Sequence, residues 1–247
     1  MDRMIYVAMT GAKHTLEQQA VVANNLANVS TNGYRAAASA FRAVPVQGEG
    51  MPTRAFVVGT TAGANFASGS LQGTGRELDI ALQGPGWIAV QTANGKEAYT
   101  RNGSLQVGAN GMLQTRGGLN VLGESGPISV PPDSTISIAK EGTVSVVSTV
   151  PPPKSVDAVG RIKLVNPDEK LMVRGDDGLF RMVNGASVQA DPNVALVSGT
   201  LEGSNVNAVE EMISMISLAR QFDLQMQLLS NAQKNAASAS RILNLTA

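Results

Sequence analysis

The stretch from Gly203 to Leu245 constrains the fold of this chain more than any other. From Met212, the residues Met215, Ala219, Phe222, Met226, Leu229, Gln233, Ala236, Ser240 and Leu243 follow in alternating steps of three and four. Only Gln233 and Ser240 break the apolar line, so the stretch reads as a helical seam sustained over about five heptads. No Pro interrupts it and no Gly follows Gly203. Ser204 or Asn205 is predicted to N-cap the helix, and Glu210 and Glu211 sit where the positive end of the helix dipole favours them. A helix over 205–243 is roughly 58 Å long at 1.5 Å per residue, about twice the width of a small domain. Much of this seam is therefore expected to meet something beyond the chain's own core.

The N-terminal end carries a matching pattern. Ile5, Met9, Ala12, Leu16, Gln19, Ala23 and Leu26 keep the same four-three spacing, with one polar break at Gln19 and Asp2 as a plausible N-cap. A second long amphipathic helix is expected over residues 2–28. It ends in an Asn-, Ser- and Gly-containing turn, Asn28 to Gly33, whose residues tolerate left-handed backbone and satisfy free carbonyls. His14 is the only histidine in the chain, so no His pair can form around it.

The middle of the chain has a different period. Residues 36–75 are rich in Ala, Gly and Thr without sustained periodicity, and read as an extended connector with a short hairpin near Phe56 to Val58. Beyond Arg76, short alternating runs recur every eight to twelve residues: Trp87–Thr92, Leu105–Val107, Met112–Thr115, Ile136 and Ile138, Val144 and Val146, Ile162 and Leu164, Leu171 and Val173, Leu179–Phe180. Asn94-Gly95 and Asn110-Gly111 are two-residue hairpin signals, and Pro151-Pro152-Pro153 is a stiff loop. The expected fold class is α+β: long N- and C-terminal helices forming a coiled-coil-like pair, with an inserted all-β domain. The expected segments are 1–35 (helix and turn motif), 36–75 (connector), 76–200 (β-rich domain) and 201–247 (C-terminal helix).

Composition narrows the function. The 247 residues carry no formal net charge, so the basic surface that nucleic acid requires is missing. Only 15% of residues are charged, which suits a surface that ends inside an assembly. There is no cysteine, and no apolar run is long enough to insert in a membrane. The start, Met1-Asp2-Arg3-Met4, carries an acid and no long apolar stretch follows it, which does not read as a cleavable secretory signal. Among the acidic residues, Asp79, Asp157, Asp168, Asp176 and Asp177 are the candidates for chemistry; Asp176-Asp177-Gly178 reads as a turn. Gly73-Thr74-Gly75 and Gly84-Pro85-Gly86 lack the Lys-Ser/Thr and the following helix of a phosphate loop. No nucleophile motif or metal-spaced His cluster occurs, and no catalytic residue, metal or cofactor is expected.

Three separated motifs carry a family resemblance over nearly the whole chain. Ala23-Asn24-Asn25-Leu26-Ala27-Asn28 with Thr31-Asn32-Gly33-Tyr34-Arg35 resembles the N-terminal signature of bacterial flagellar rod and hook proteins. Leu201-Glu202-Gly203-Ser204-Asn205-Val206, followed by Glu211-Met212-Ile213, is similar to their C-terminal signature. Arg76–Trp87 and Tyr99-Thr100-Arg101-Asn102-Gly103 resemble their central β-domain. Within the family, Arg220-Gln221-Phe222-Asp223 is similar to the proximal-rod member, with the distal-rod protein as the alternative. The resemblance implies a structural subunit of the basal-body rod that polymerises through its terminal helices, crosses the periplasm as part of a driveshaft and transmits torque. It implies copies of itself and other proximal and distal rod proteins as partners, and the flagellar type III export apparatus in transit. The expected subunit interface is Ile5, Met9, Leu16, Leu26, Met212, Met215, Phe222, Met226, Leu229 and Leu243. A reading from a different class is a β-rich enzyme acting on cell-wall carbohydrate, which would need two carboxylates converging in a cleft.

Overall fold

The computed structural model describes residues 2–45, 55–59, 63–148 and 156–244. Pro151-Pro152-Pro153 and the side chain of Leu243 lie outside the described residues. The class is α+β, with one long helix at each end and a large β-rich body. The chain divides into two compact units. One comprises residues 1–27, 37–64 and 206–247; the other comprises residues 28–36 and 65–205.

In the first unit, helix α1 spans Asp2–Ala27 and helix α2 spans Ala208–Asn244. They run antiparallel, since Thr15 bonds Gln225 while Asn25 bonds Glu211. The N-cap of α2 is Asn207, not Ser204 or Asn205: its side-chain oxygen accepts from the Val209 N–H at 3.1 Å, and its carbonyl accepts from the Glu211 N–H. The stretch expected as a connector is partly ordered as strands. Phe41–Pro45 pairs with Ala55–Gly59, which includes the hairpin segment expected near Phe56, and Ala37–Ala38 pairs with Gly63–Ala64. A two-stranded ribbon is marginal alone. Here His14 of α1 lies edge-on to Phe41, with ring centroids 5.5 Å apart, and its Nδ1 bonds Glu17 Oε2 at 2.8 Å.

In the second unit the main sheet runs Met172–Arg174, Phe180–Met182, Glu97–Thr100, Trp87–Gln91, Asn120–Gly123, Leu113–Thr115, Leu105–Val107. Gly126–Pro127 pairs with Asn120–Gly123, and Leu164–Val165 pairs with Trp87–Gln91. The turns between neighbours fall at Asn94-Gly95 and Asn110-Gly111, but as three-residue loops, not two-residue ones: the Thr92 N–H bonds the Lys96 carbonyl and the Gly108 N–H that of Met112. A three-stranded sheet, Ser134–Ile138, Thr143–Ser148 and Asp157–Arg161, adds Ile136, Ile138, Val144 and Val146 to the same core. Their alternate neighbours are more exposed, the half-buried pattern expected of an antiparallel sheet with one wet face. The centre holds Ile80, Ile88, Val90, Leu105, Leu113 and Val121, each almost without exposure.

Trp87, the only tryptophan, is 3% exposed and packs 4.6 Å from Phe180 and 5.9 Å from Phe66, centroid to centroid. Truncating it leaves a cavity that fixed strands on both sides cannot collapse. Trp87→Ala is expected to cost about 3–5 kcal/mol in urea unfolding of the chain; an unchanged midpoint would place the ring outside the cooperative core.

Tyr99 is equally enclosed, and its hydroxyl accepts from the Val188 N–H at 2.9 Å. Burial pushes its pKa from 10.0 up to about 12. An unfolded tyrosine loses its proton near 10 while the folded one keeps it, so stability is full below that pH and falls as pH rises toward 12. The loss is on the order of 2–3 kcal/mol. Urea midpoints followed from pH 9 to pH 12 should fall more steeply for the natural chain than for Tyr99→Phe; equal slopes would refute the assignment.

Candidate functional site

Two arrangements bring the motif residues together, one in each unit. In the β-rich unit the centre is Glu202, 1% exposed. Its Oε1 accepts from Arg35 Nη2 at 2.7 Å and from the Gly69 N–H at 3.0 Å. Its Oε2 accepts from Arg101 Nη1 at 3.0 Å, and its main-chain carbonyl accepts from the Gly33 N–H at 2.7 Å. One carboxylate thus joins the N-terminal motif, the central motif and the C-terminal motif. Both arginines are buried as well: Arg35 is 1% and Arg101 5% exposed. Burial holds the Arg101 guanidinium below its ordinary value, and the charge of Glu202 opposes that shift. Buried arginine takes this position because its planar fork can serve two acceptors; Arg101 Nη2 also donates to the Gly84 carbonyl at 2.8 Å.

The surrounding motif residues complete the junction. Asn205 Oδ1 accepts from the Ala36 N–H at 2.7 Å, and its Nδ2 donates to the carbonyls of Asn65 and Ala67. The Asn205 N–H donates to the Tyr34 carbonyl, and the Arg174 guanidinium lies 4.4 Å over the Tyr34 ring. Thr31 donates its hydroxyl to Asn28 Oδ1. Gly33 stands at φ 69°, and a Cβ there would overlap the main chain of Arg101 and Asn102. Only glycine fits that approach. Gly69 is forced for a related reason: a Cβ on it would overlap the Gly203 carbonyl. Leu201 is buried, and Ser204 and Val206 are half-buried.

In the helical unit Asn25, 3% exposed, accepts from the Ala37 N–H and donates to the Ala37 carbonyl and to Glu211 Oε1. Asn24 is exposed and Leu26 half-buried. The expected seam divides in two. Ile5 on α1 and Met215, Phe222 and Leu229 on α2 are half-buried, and the α2 stripe continues through Glu211, Leu218 and Gln225, one residue away from the Met212, Ala219 and Met226 positions. Met9 (53%), Leu16 (49%), Met212 (51%) and Met226 (45%) are exposed. On α1 the buried positions are Ala12, Thr15 and Asn25. Further exposed apolar side chains lie on α2: Val209, Ile213, Ile216, Leu224 and Leu228, each between 53% and 64%.

Three of the five acidic candidates, Asp79, Asp168 and Asp177, make structural contacts. Buried Asp79 accepts from Ser104 Oγ at 3.4 Å and pairs with Arg76 at 3.7 Å. Asp177 pairs with Arg181 and caps the turn at the Leu179 N–H; that guanidinium holds its carboxyl below the usual range. Asp168 caps the short 3₁₀ turn Glu169–Leu171. Among the described residues there is no cluster of three or more His, Cys, Asp or Glu, and no helix is long and apolar enough to cross a membrane.

Glu202 carries the sharpest energetic consequence. Without its charge, two buried guanidinium groups face each other with no counter-ion, which costs about 3–5 kcal/mol. Glu202→Gln is expected to lower the urea midpoint of the β-rich unit by that amount although it keeps the size of the side chain. A loss under about 1 kcal/mol, the worth of an exposed pair, would mean that the charge is not buried.

Comparison with known proteins agrees with the order of the three motifs. Residues 5–35 match the model of the flagella basal body rod protein, residues 81–146 that of the flagellar hook protein FlgE/F/G D1 domain, and residues 197–242 that of the flagellar basal body rod FlgEFG protein C-terminal region. The chain is 49% identical over 252 aligned residues to the flagellar basal-body rod protein FlgF of Escherichia coli K12, covering 100% of both. It is 31% identical to FlgF of Caulobacter vibrioides, covering 97% of both chains. To the flagellar basal-body rod protein FlgG of Agrobacterium fabrum it is 30% identical, covering 98% of this chain and 99% of that one. With its helices, its β-body and the junction between its motifs accounted for, the chain belongs to the flagellar basal-body rod protein family.

Proposed function

We propose that this chain is a structural subunit of the flagellar proximal rod, located in the basal body, and that it is built into the rod through its terminal helices. The observation that carries this reading is the second apolar stripe of α2. The helix already turns Met215, Leu218 and Phe222 inward, yet Val209, Ile213 and Ile216 stand exposed on its other side. At 100° per residue these three lie roughly 140–200° around the helix from Leu218. A helix that is apolar on two sides is stable in water only when both are covered. Covering the five exposed aliphatic side chains contributes on the order of 5 kcal/mol per subunit, since each is worth about 1.5–3 kcal/mol on full burial and is already partly enclosed.

Copies of this chain and other rod proteins supply the cover in this reading, and α1 and α2 form the coiled-coil-like pair that neighbouring pairs pack against. Tyr6, Met9 and Leu16, exposed on α1, offer further apolar surface for such packing. Densely packed helix layers are stiff, which is what transmitting torque along a driveshaft requires. The role is structural, not catalytic. The 49% identity to FlgF of Escherichia coli, against 30% to FlgG of Agrobacterium fabrum, supports the proximal position over the distal one. Passage through the flagellar type III apparatus belongs to the same reading.

Ile213→Asp places a carboxylate in the stripe, and its desolvation on assembly costs several kcal/mol in every subunit. Cells carrying it are expected to be non-motile and to yield incomplete rods, while the purified chain keeps its β-rich circular dichroism. Ser137→Glu, at an exposed polar position of the β-rich unit, should swim normally. Complete rods and normal swimming with Ile213→Asp would sink the proposal.

A further inference from the structure

Apolar burial does not decide which side of α2 faces α1. The inward stripe holds Met215, Leu218, Phe222 and Leu229, interrupted by Glu211 and Gln225; the outward one holds Val209, Ile213, Ile216, Leu224 and Leu228. The outward stripe also carries Arg220 and Gln227, so both stripes mix apolar and polar side chains and apolarity alone does not rank them.

What sets the inward stripe apart is that its two polar residues find partners on α1. Gln225 and the Thr15 hydroxyl bond each other at 3.2 to 3.4 Å, and Thr15 Oγ1 also donates to the Gly11 carbonyl at 3.0 Å. Gly11 makes room for this: a Cβ there would come within 3.2 Å of Gln225 Nε2. Asn25 donates to Glu211 Oε1 at 3.0 Å. Thr15 and Asn25 are 4% and 3% exposed. Were α2 turned to put Ile213 inward, Thr15 would keep only its bond to Gly11 and Asn25 its bonds to Ala37, and each would lose its bond to α2 at a buried position, where the lost bond is costly. A single polar layer in an otherwise apolar helix pair is a known way of choosing one arrangement among several.

We propose that Thr15–Gln225 and Asn25–Glu211 select the face of α2: they hold the Leu218 side on α1 and leave the Ile213 side outward. This concerns pairing within one chain, and stands whether or not a second subunit covers the outward stripe.

The absence of cysteine makes the test direct. Leu218→Cys and Ile213→Cys are made singly in the full chain and labelled with a maleimide, with helix content followed by circular dichroism. In the parent chain Ile213→Cys should react at least ~10-fold faster, because only the inward position needs an opening of the pair. Thr15→Val, Gln225→Leu and Glu211→Leu together remove both polar contacts from α2 while Asn25 keeps its bonds to Ala37; the rate ratio should then fall toward one. If that variant loses helix content, the exchanged pair Thr15→Gln with Gln225→Thr decides, and should retain a ratio of at least ~10-fold by keeping a polar layer. Equal rates in the parent chain, an unchanged ratio in the helical triple variant, or a ratio near one in the exchanged pair would each overturn the inference.

Discussion

The junction of this protein depends on one buried negative charge serving two buried positive ones. Glu202 makes polar contacts with Arg35, Arg101, Gly69 and Gly33, drawn from three separate stretches of the chain. Such a cluster is costly to desolvate and is held by its geometry rather than by net stabilisation. Its value is therefore specificity. An apolar contact tolerates sliding, whereas a carboxylate with both oxygens committed admits one placement of each partner. The close approaches at Gly33 and Gly69 follow from it, since the main chain must come within bonding distance of Glu202 and Gly203 from two sides.

The helical unit uses the same device more weakly. Asn25 binds Ala37 through both its carbonyl oxygen and its amide, and reaches Glu211 as well, tying the end of α1 to the first strand after the turn and to the first turn of α2. Thr15 and Gln225 repeat the idea further along the helices. In both units polar residues define where segments meet, and apolar residues supply the burial that makes the meeting stable.

This division explains what could be read from the residues alone. The helices, the β-class of the middle and the places of the hairpin turns were all legible, because periodicity and turn chemistry are local. The exact stripe of α2 was not. A scan for apolar spacing prefers Met212, Ala219 and Met226, and shares with the inward stripe only the positions Met215, Phe222 and Leu229. It passes over Glu211 and Gln225 because they are polar. Their partners Asn25 and Thr15 are 186 and 210 residues away in sequence, so nothing nearby marks them as buried. Glu202 was visible as part of a motif but not as a buried charge, since Arg35 and Arg101 are equally remote. Asn207 was missed as the cap of α2 because Ser204 and Asn205 precede it and have the same chemistry; Asn205 is occupied instead at the junction with Ala36.

The position of Glu202 along the chain bears on the order of events when the chain folds. It is residue 202 of 247, and the arginine that it fixes is residue 35. Loops of this size close late, after local hairpins have formed, because chain entropy must be surrendered before the contact returns anything. A chain delivered from its N-terminus onward, whether by synthesis or by threading, therefore carries an N-terminal motif with no counter-charge until about four-fifths of its length has arrived. Until then Arg35 remains in water, and the junction acts as a latch that only a nearly complete chain can fasten.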